Sequence, residues 1–253
     1  MKKALLFIVI VFSATMLWAQ KASVSTDQAI RTDRNFRIPL IGETAPSFTA
    51  QTTNGELNFP GDYGRKWKIL FSHPQDFTPV CTSEILELAN LQSEFDKLGV
   101  KVVVISADPL STHVQWVKAM EGLSYKDREN IKIKFPIVDD ENLAVSKQYG
   151  MIHPATNSTK AVRGVFIIDP DNIVDAIYFY PMNVGRSTDE LLRMVSALQT
   201  TANSSSNVMT PANWKAGNDL LIAVPPKSDA KNPGLAPDGY YDVAWFMWFK
   251  KTN

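Results

Sequence analysis

The sequence predicts an α/β protein in which helices flank a mixed central sheet, followed by a smaller C-terminal extension. Three observations lead to this class. Short runs rich in β-branched residues alternate with segments whose apolar residues recur every three or four positions. Two apolar runs are joined by Asp169-Pro170-Asp171-Asn172, a turn by composition. After Thr200 the chain changes to a polar linker and then to loops rich in proline and aromatic residues.

The elements of the main domain follow from local patterns in chain order. A strand is predicted at 66–71, stopping at His73-Pro74, and the apolar spacing over 84–98 predicts an amphipathic helix that ends at Gly99. The sequence Ser187-Thr188-Asp189-Glu190 is a capping box that opens the last main-domain helix. The other predicted elements are strands at 100–107, 135–138, 162–168 and 173–180, and helices at 111–120 and 141–149.

Charge and cysteine content exclude several classes of function. Lysine plus arginine and aspartate plus glutamate both number 26, so the chain lacks the domain-wide basic field that nucleic-acid binding uses. One cysteine, Cys81, excludes an intrachain disulfide and any CxxC pair. Three histidines and one cysteine are few for a zinc site. We therefore predict neither a metal nor a cofactor.

The first 19 residues have the composition of a secretory signal. Met1-Lys2-Lys3 precedes an apolar run over 4–18, which is short for a membrane span, and Ala19 is a plausible cleavage position. Residues 20–37 are predicted to be a flexible leader. The mature protein is expected to be exported, periplasmic or secreted, with no stable membrane association after cleavage. The alternative is an uncleaved N-terminal anchor.

Cys81 is the first candidate for chemistry. A single cysteine in an exported protein forms a bond to another chain, remains a reactive thiol, or packs as a small core residue. The segment 73–84 joins a predicted strand to the amphipathic helix, which puts Cys81 at or within the first helical turn. Unpaired backbone N–H groups and the helix dipole favour an anion there, so the position favours the reactive thiol.

The residues around Cys81 resemble the active site of the peroxiredoxins. Pro74-x-x-x-Thr78-x-x-Cys81 matches the active-site pattern of that family, within the longer matching segment FSHPQDFTPVCTSE. Residues 161–169 look like the family strand that carries the active-site arginine, and 185–199 look like its last main-domain helix. Residues 211–217 resemble the start of the C-terminal extension in the one-cysteine branch.

The resemblance implies a thioredoxin-like peroxiredoxin domain over 38–200 and a dimerisation arm over 207–253. It also implies a thiol-dependent peroxidase that reduces hydrogen peroxide and organic hydroperoxides and serves antioxidant defence. The cysteine sulfenic acid would then be reduced by an external thiol or dithiol, because the chain has no second cysteine. No G-x-S-x-G element occurs, so the phospholipase activity of some family members is not expected.

The implied roles fall on seven residues. Cys81 attacks the peroxide, Thr78 presents its hydroxyl to the substrate, Arg163 stabilises the developing charge, and Pro74 closes the pocket. Around them, Glu84 and Arg186 aim Arg163, and His73 lies adjacent. Taken without the resemblance, Arg163 reads as a surface strand residue, His73 as a structural histidine, and Thr78 and Pro74 as turn residues.

Two other functions remain open at this stage. A thioredoxin-like disulfide exchanger would share the fold but needs a CxxC motif, and Thr78 stands where its first cysteine would be. An exported non-enzymatic holdase would use the aromatic tail, with Cys81 incidental. The tail carries Trp245, Phe246, Trp248 and Phe249, more aromatic surface than about 50 residues can bury alone. We therefore expect a homodimer or higher homo-oligomer, with fold-back onto the main domain as the alternative.

Overall fold

The β-branched runs form the centre of a mixed sheet. In the computed structural model, the central strands are β3 (Trp67–Ser72), β4 (Val100–Ser106) and β6 (Arg163–Ile168). Nearly all of their residues are buried, as expected for strands that are covered on both faces. β3 pairs in parallel with β4 and antiparallel with β6, so the sheet is mixed, as predicted.

The structure describes residues 37–204, 207–223 and 236–252. Over these residues the main sheet has seven strands in the order β2-β1-β5-β4-β3-β6-β7. The outer strands are β1 (Phe48–Thr52), β2 (Gly55–Phe59), β5 (Ile137–Asp139) and β7 (Val174–Tyr180). The predicted signal at 1–19 and the leader up to residue 36 lie outside the described residues. Among the described helices, none has the length and apolarity needed to cross a membrane.

The β1–β2 hairpin was not predicted. Its strands pair antiparallel from Phe48↔Phe59 to Thr52↔Gly55, and the rings of Phe48 and Phe59 stack with their centroids 5.0 Å apart. A single residue pair, Thr52↔Val138, joins β1 to β5 in the sheet ladder. Hydrogen bonds between Thr53 and Ile137 and the apolar side chains of the hairpin add to this single ladder pair.

Four α-helices are described, and two of them differ by more than two residues from their predicted bounds. They are α1 (Pro79–Lys97), α2 (Leu110–Glu121), α3 (Ala144–Gln148) and α4 (Thr188–Ala202). α1 begins five residues earlier than predicted because Pro79 takes the first helical position, where a missing N–H costs nothing. α3 is shorter than 141–149, because Asp140 accepts the N–H groups of Val145 and Ser146 and so satisfies the first turn there.

Helices α1, α2 and α4 pack on one face of the sheet, and α3 packs on the other together with apolar residues of the β1–β2 hairpin. One core cluster joins the sheet to α1, α2 and α4 through residues such as Ile85, Trp116 and Val195. The second cluster joins it to the β1–β2 hairpin and to α3 through Phe59, Val145 and the adjoining Tyr149. Phe71 near the end of β3 and Cys81 near the start of α1 both belong to the first cluster, so these two ends lie inside the domain.

The C-terminal extension forms a small sheet of its own. Its strands are β8 (Val208–Met209), β9 (Leu220–Ile222), β10 (Tyr240–Ala244) and β11 (Met247–Lys250), in the order β10-β11-β9-β8. The near end packs on α4, where Trp214 forms a buried cluster with Ala197. At the far end, Trp245 and Phe246 are 84% and 70% exposed.

Candidate active site

Cys81 is the third residue of helix α1 and is almost completely buried. Its side chain lies in the core cluster with an exposed fraction of 1%. The first hydrogen bond of the helix runs from the N–H of Thr82 to the carbonyl of Thr78, so the N–H of Cys81 precedes the helical ladder. An anion at this position faces unpaired N–H groups and the positive end of the helix dipole.

The loop before Cys81 turns sharply into the helix. Phe77 has a left-handed backbone with φ of +53°, which is unusual for a residue with a large side chain, and Thr78 returns to an extended conformation. The hydroxyl of Thr78 donates to the carbonyl of Gln75 at 2.9 Å, so its oxygen lone pairs are left to accept. Pro74 is buried in the same loop.

Arg163 lies directly against the sulfur. Its Nη1 is 3.2 Å from Cys81 Sγ and 2.7 Å from Glu84 Oε2. Its Nε and Nη2 both donate to the carbonyl of Met182, Nε at 2.9 Å. Arg163 is buried, so it is not the surface salt-bridge residue that its position on a strand would suggest. The guanidinium is fixed on two sides, with one N–H aimed at the sulfur.

Glu84 lies one turn after Cys81 and joins two arginines. Arg186 contacts it with its backbone N–H at 2.8 Å and with Nε and Nη2 at 2.8 and 2.7 Å. Arg186 also donates to the carbonyl of Gly164 at 2.9 Å, and its guanidinium lies 3.3 Å above the ring centre of Phe71. The carboxylate of Glu84 therefore connects Arg186 to Arg163.

The arginine cluster carries a net positive charge inside the protein. Burial alone would raise the pKa of Glu84, but hydrogen bonds and charge from Arg186, together with the charge of Arg163, hold that pKa below its ordinary value. Burial lowers the pKa of Arg186, although the hydrogen bonds that Arg186 donates to Glu84 and the charge of that carboxylate oppose this effect. One carboxylate cannot neutralise two guanidiniums, so positive charge remains beside the sulfur.

His73 belongs to a second buried cluster that also includes two unpredicted residues. Its Nε2 is 2.7 Å from Asp76 Oδ1, and His113 Nδ1 is 2.7 Å from Asp76 Oδ2. The ring of His73 packs on Trp116, whose indole N–H donates to Thr82 Oγ1 at 3.3 Å. His73 is therefore connected to the start of α1 rather than to Arg163.

Asp76 and His113 had no clear sequence signal. They are 37 residues apart, and only the folded chain brings helix α2 over the loop after β3. Ligand atoms of His73, Asp76 and Asp108 lie within 4.8 Å of one another, a spacing that could also hold a metal ion. These atoms already bond to one another or to Ser106 and the Asp76 N–H, so a hydrogen-bond network explains their proximity.

A cavity lies far from the chemistry. It has a volume of about 290 Å³ and is lined by parts of the β1–β2 hairpin, the end of α1, the start of β4 and 134–136. Cys81 follows the opposite end of the parallel strands. None of the seven predicted site residues lines this cavity.

Comparison with known proteins places this arrangement in a family. Residues 41–177 match the model of the AhpC/TSA family. The chain is 45% identical over 219 residues to a peroxiredoxin of Methanosarcina mazei, covering 85% of this chain and 99% of that protein. It is 40% identical over 224 residues to a peroxiredoxin of Aquifex aeolicus, covering 85% of this chain and 98% of that protein.

Solved structures give the same result. A yeast mitochondrial 1-Cys peroxiredoxin superimposes with a TM-score of 0.71 at 35% identity, covering 85% of this chain and all of that one. Peroxiredoxin 6 of Arenicola marina gives a TM-score of 0.73 at 32% identity, covering 85% of this chain and 98% of that one. These relatives confirm the thioredoxin-like fold. The chain belongs to the AhpC/TSA family: it is a peroxiredoxin, a thiol-dependent peroxidase, and its single cysteine fits the one-cysteine branch.

Proposed function

We propose that Cys81 is the residue that reacts with peroxide. Its thiolate attacks one oxygen of ROOH, forming the S–O bond while the O–O bond breaks. The sulfur is oxidised by two electrons to a sulfenic acid, and the leaving RO⁻ takes up a proton and departs as water or an alcohol. Hydrogen peroxide and small organic hydroperoxides are the substrates.

The contact between Arg163 and Cys81 carries this proposal. A guanidinium N–H at 3.2 Å from the sulfur stabilises the thiolate before the reaction. The same group lies where negative charge develops on the leaving oxygen, and a donor fixed in advance costs no reorganisation at that moment. Hydrogen bonds to Glu84 and to the carbonyl of Met182 hold the Arg163 guanidinium in place. Arg186 acts through Glu84 and is a positioning residue.

Thr78 and Pro74 have supporting roles in this mechanism. Because the Thr78 hydroxyl donates its proton to the Gln75 carbonyl, its oxygen accepts a hydrogen bond from the peroxide O–H. Buried Pro74 closes the loop over the sulfur and limits the entry of water. Both residues orient the peroxide for attack along its O–O axis.

The sulfenic acid is reduced by a thiol from outside the chain. With one cysteine in the sequence, no internal disulfide can form. One external thiol displaces water to give a mixed disulfide, and a second thiol attacks it, releasing the Cys81 thiol and an external disulfide. For the yeast relative, thiol resolution is attributed to glutathione and thioredoxin systems. A small thiol or a dithiol protein of this kind is the reductant we infer.

Replacement of Cys81 by serine tests the assignment. Cys81→Ser should abolish consumption of hydrogen peroxide in the presence of dithiothreitol, because a hydroxyl is not a comparable nucleophile at neutral pH. Ser83→Ala is the matched control, since Ser83 lies in the same helical turn and donates only to the carbonyl of Val80. Peroxide turnover retained by Cys81→Ser, with a cysteine-free chain verified by mass, would refute the assignment, whereas a wild-type protein without turnover would favour the non-enzymatic role.

We also propose that the protein is at least a homodimer through its extension. Trp214 attaches the extension to its own α4, but Trp245 and Phe246 at the β10–β11 tip are largely exposed. Exposed aromatic pairs of this size favour burial against a partner. Strand β7 also forms an open edge of the main sheet. We propose that a second copy of the chain covers both surfaces.

Light scattering tests this assembly. The full chain should be dimeric or larger at micromolar concentration, and truncation before Asn207 should give a monomer or an aggregate. Because truncation uncovers the Ala197 surface, the sharper variant is Trp245→Ser/Phe246→Ser in the full chain, which should shift the mass towards the monomer. A full-length chain that is monomeric at this concentration contradicts the proposal and favours fold-back.

Export through residues 1–19 is the last part of the proposed function. It rests on the charged start, the apolar run and the small residue at Ala19. Expression with the native N-terminus should yield a protein whose intact mass corresponds to a chain starting at Gln20. A mass that retains Met1 or Lys2 contradicts cleavage.

A further inference from the structure

A buried carboxylate lies between two imidazoles beside the active-site loop. Asp76 accepts contacts at 2.7 Å from His73 on one oxygen and from His113 on the other. All three side chains are nearly inaccessible to solvent. His73 and Asp76 belong to the loop that leads to Thr78, whereas His113 comes from helix α2. The cluster therefore connects this loop to α2.

The partners assign the protons of His113. Its Nε2 is 3.1 Å from the carbonyl oxygen of Val138, which can only accept, so Nε2 carries a proton. Its Nδ1 faces a carboxylate oxygen of Asp76. With Asp76 ionised, Nδ1 also carries a proton, and His113 is an imidazolium. The remaining oxygen of Asp76 accepts the proton on His73 Nε2.

The other nitrogen of His73 is then unprotonated. Its Nδ1 is buried and has no hydrogen-bond partner among the described residues. A proton placed there would be an unpaired buried donor on a charged ring, which costs more than leaving a bare lone pair. Three protons therefore satisfy the cluster: two on His113 and one on His73.

The surrounding charges agree with this distribution. Burial would raise the pKa of Asp76, but its bonds to His113 and His73 keep that pKa below the ordinary value. Burial lowers the pKa of His73, outweighing the attraction of Asp76 and Asp108. Asp108, the other carboxylate facing the cluster, is half-buried and accepts from Ser106 Oγ and the Asp76 N–H.

We propose that His113 is the built-in counter-ion of Asp76, and that this pair keeps His73 neutral with its proton on Nε2. His113 and Asp76 are positioning residues for the loop that carries Pro74 and Thr78. If His73 took a second proton, the loop would have to move to find an acceptor for it. The effect on peroxide chemistry rests on the proposed function of Cys81, whereas the proton distribution does not.

Nitrogen-15 NMR of histidine tests the proton distribution in the full chain. The chain has three histidines, so His73, His113 and His153 can be assigned by substitution. In the wild type at neutral pH, we expect both ring nitrogens of His113 to carry a proton, because Asp76 and the Val138 carbonyl both accept from them. His73 should show one protonated and one unprotonated nitrogen. An unprotonated nitrogen on His113 would overturn the proposal without any variant.

Removing the charge of His113 gives the second test. In His113→Asn the amide still donates to Asp76 but carries no charge, so His73 becomes the counter-ion and should titrate near neutral pH. In Asp76→Asn/His113→Asn no charge needs compensation, and His73 should again remain neutral. If His113 had a purely structural role, the second substitution would not return His73 to the neutral state. A His73 signal that stays unprotonated at Nδ1 in His113→Asn would contradict the proposal.

Stopped-flow oxidation of Cys81 by hydrogen peroxide gives the functional measurement. The rate constant of His113→Asn should gain a new acid limb at the pH where His73 titrates, with a fall of about tenfold from misplacement of the loop. The double variant should lose that limb. An acid limb that does not coincide with the NMR titration of His73 would overturn the positioning role. If Cys81→Ser retains turnover, the proposed function fails, while the NMR result stands by itself.

Discussion

Two buried carboxylates flank Cys81 in the chain, and each lies between two basic side chains. Glu84 bonds to Arg163 and Arg186, and Asp76 bonds to His73 and His113. The arginine cluster joins two guanidiniums to one carboxylate, so it carries a net positive charge. In the imidazole cluster, the proposed positive charge of His113 balances the negative charge of Asp76, so the cluster has no net charge. The first cluster thus places positive charge beside the sulfur, and the second fixes the conformation of the loop before Cys81.

The two clusters also differ in their contacts with Cys81, since only the arginine cluster contacts the sulfur directly. Arg163 lies 3.2 Å from Cys81 Sγ, whereas His73 reaches the start of α1 through Trp116 and Thr82. Damage to the arginine cluster should therefore change both stability and chemistry. Substitutions in the imidazole cluster should change the reaction of Cys81 mainly by moving the loop that carries Pro74 and Thr78.

The largest expected effect is on stability, from Glu84→Gln. This variant leaves two buried guanidiniums without their carboxylate, and breaking a buried pair of this kind costs about 3–5 kcal/mol. Urea unfolding should show the loss. Asp171→Asn is the control, because Asp171 and Arg65 form a carboxylate–guanidinium pair at the surface, with side chains 61% and 77% exposed. A surface pair is worth less than about 1 kcal/mol, and equal losses in the two variants would contradict the comparison.

The next effect is on chemistry, from Arg163→Lys. Lysine keeps the positive charge but lacks the fork of donors that reaches Cys81, Glu84 and the Met182 carbonyl at the same time. Loss of one fixed donor of this type slows a reaction by about 10²–10³-fold. Stopped-flow oxidation of the reduced protein measures this rate. An unchanged second-order rate constant would show that another arginine, such as Arg186, stabilises the leaving oxygen.

The smallest effect is a dependence of stability on pH. The pKa of His73 is lowered by burial from its ordinary value of 6.5, so below pH 6.5 the unfolded chain binds a proton that the folded chain excludes. The free energy of unfolding should therefore fall as the pH drops from about 6.5 towards 5, by up to about 1.4 kcal/mol per pH unit. Denaturation at a series of pH values measures the slope, and His73→Asn should flatten it.

Glu84 should respond in a lower pH window. The pKa of Glu84 is held below its ordinary value of 4.5, so the stabilisation it contributes is complete above that pH. This stabilisation is lost only as the pH falls further, towards the lowered pKa. If the free energy of unfolding falls equally in the wild type and in His73→Asn between pH 6.5 and 5, the imidazole cluster is not the first group to lose its stabilisation in acid.

Local patterns predicted most of the main domain because its strands and helices have strong periodicity. The sequence pattern predicted that Cys81 lies at or within the first turn of a helix, and the structure places it there, whereas Thr78 and Glu84 were assigned through the family resemblance. Arg163 was assigned only through the family resemblance, since it lies 82 residues from Cys81 and a lone arginine on a strand has no local signal. The contact of Asp76 with His113 depends on how α2 packs, which no local pattern contains.

Two parts of the fold, the β1–β2 hairpin and the C-terminal sheet, were not predicted from the sequence, for different reasons. The β1–β2 hairpin had a signal in the Asn54-Gly55 pair, where Gly55 adopts φ of +99°, but its strands are short and only partly apolar. The sheet of the C-terminal extension had no such signal. Its strands are two to five residues long, and what they pack against is decided by α4 and, in our proposal, by a second chain.

The weak join between β1 and β5 has a consequence for local opening. One ladder pair, Thr52↔Val138, and the hydrogen bonds between Thr53 and Ile137 connect the hairpin to the sheet, so the hairpin can separate without breaking the pairing of β3 with β4. Amide hydrogen exchange should therefore be fast in β1 and β2 and slow in the central strands, with an opening free energy for the hairpin well below that of global unfolding. The central strands, which hold the loop and helix of Cys81, would remain protected during these openings. Exchange measured by mass spectrometry would then divide the domain into a labile edge and a rigid centre.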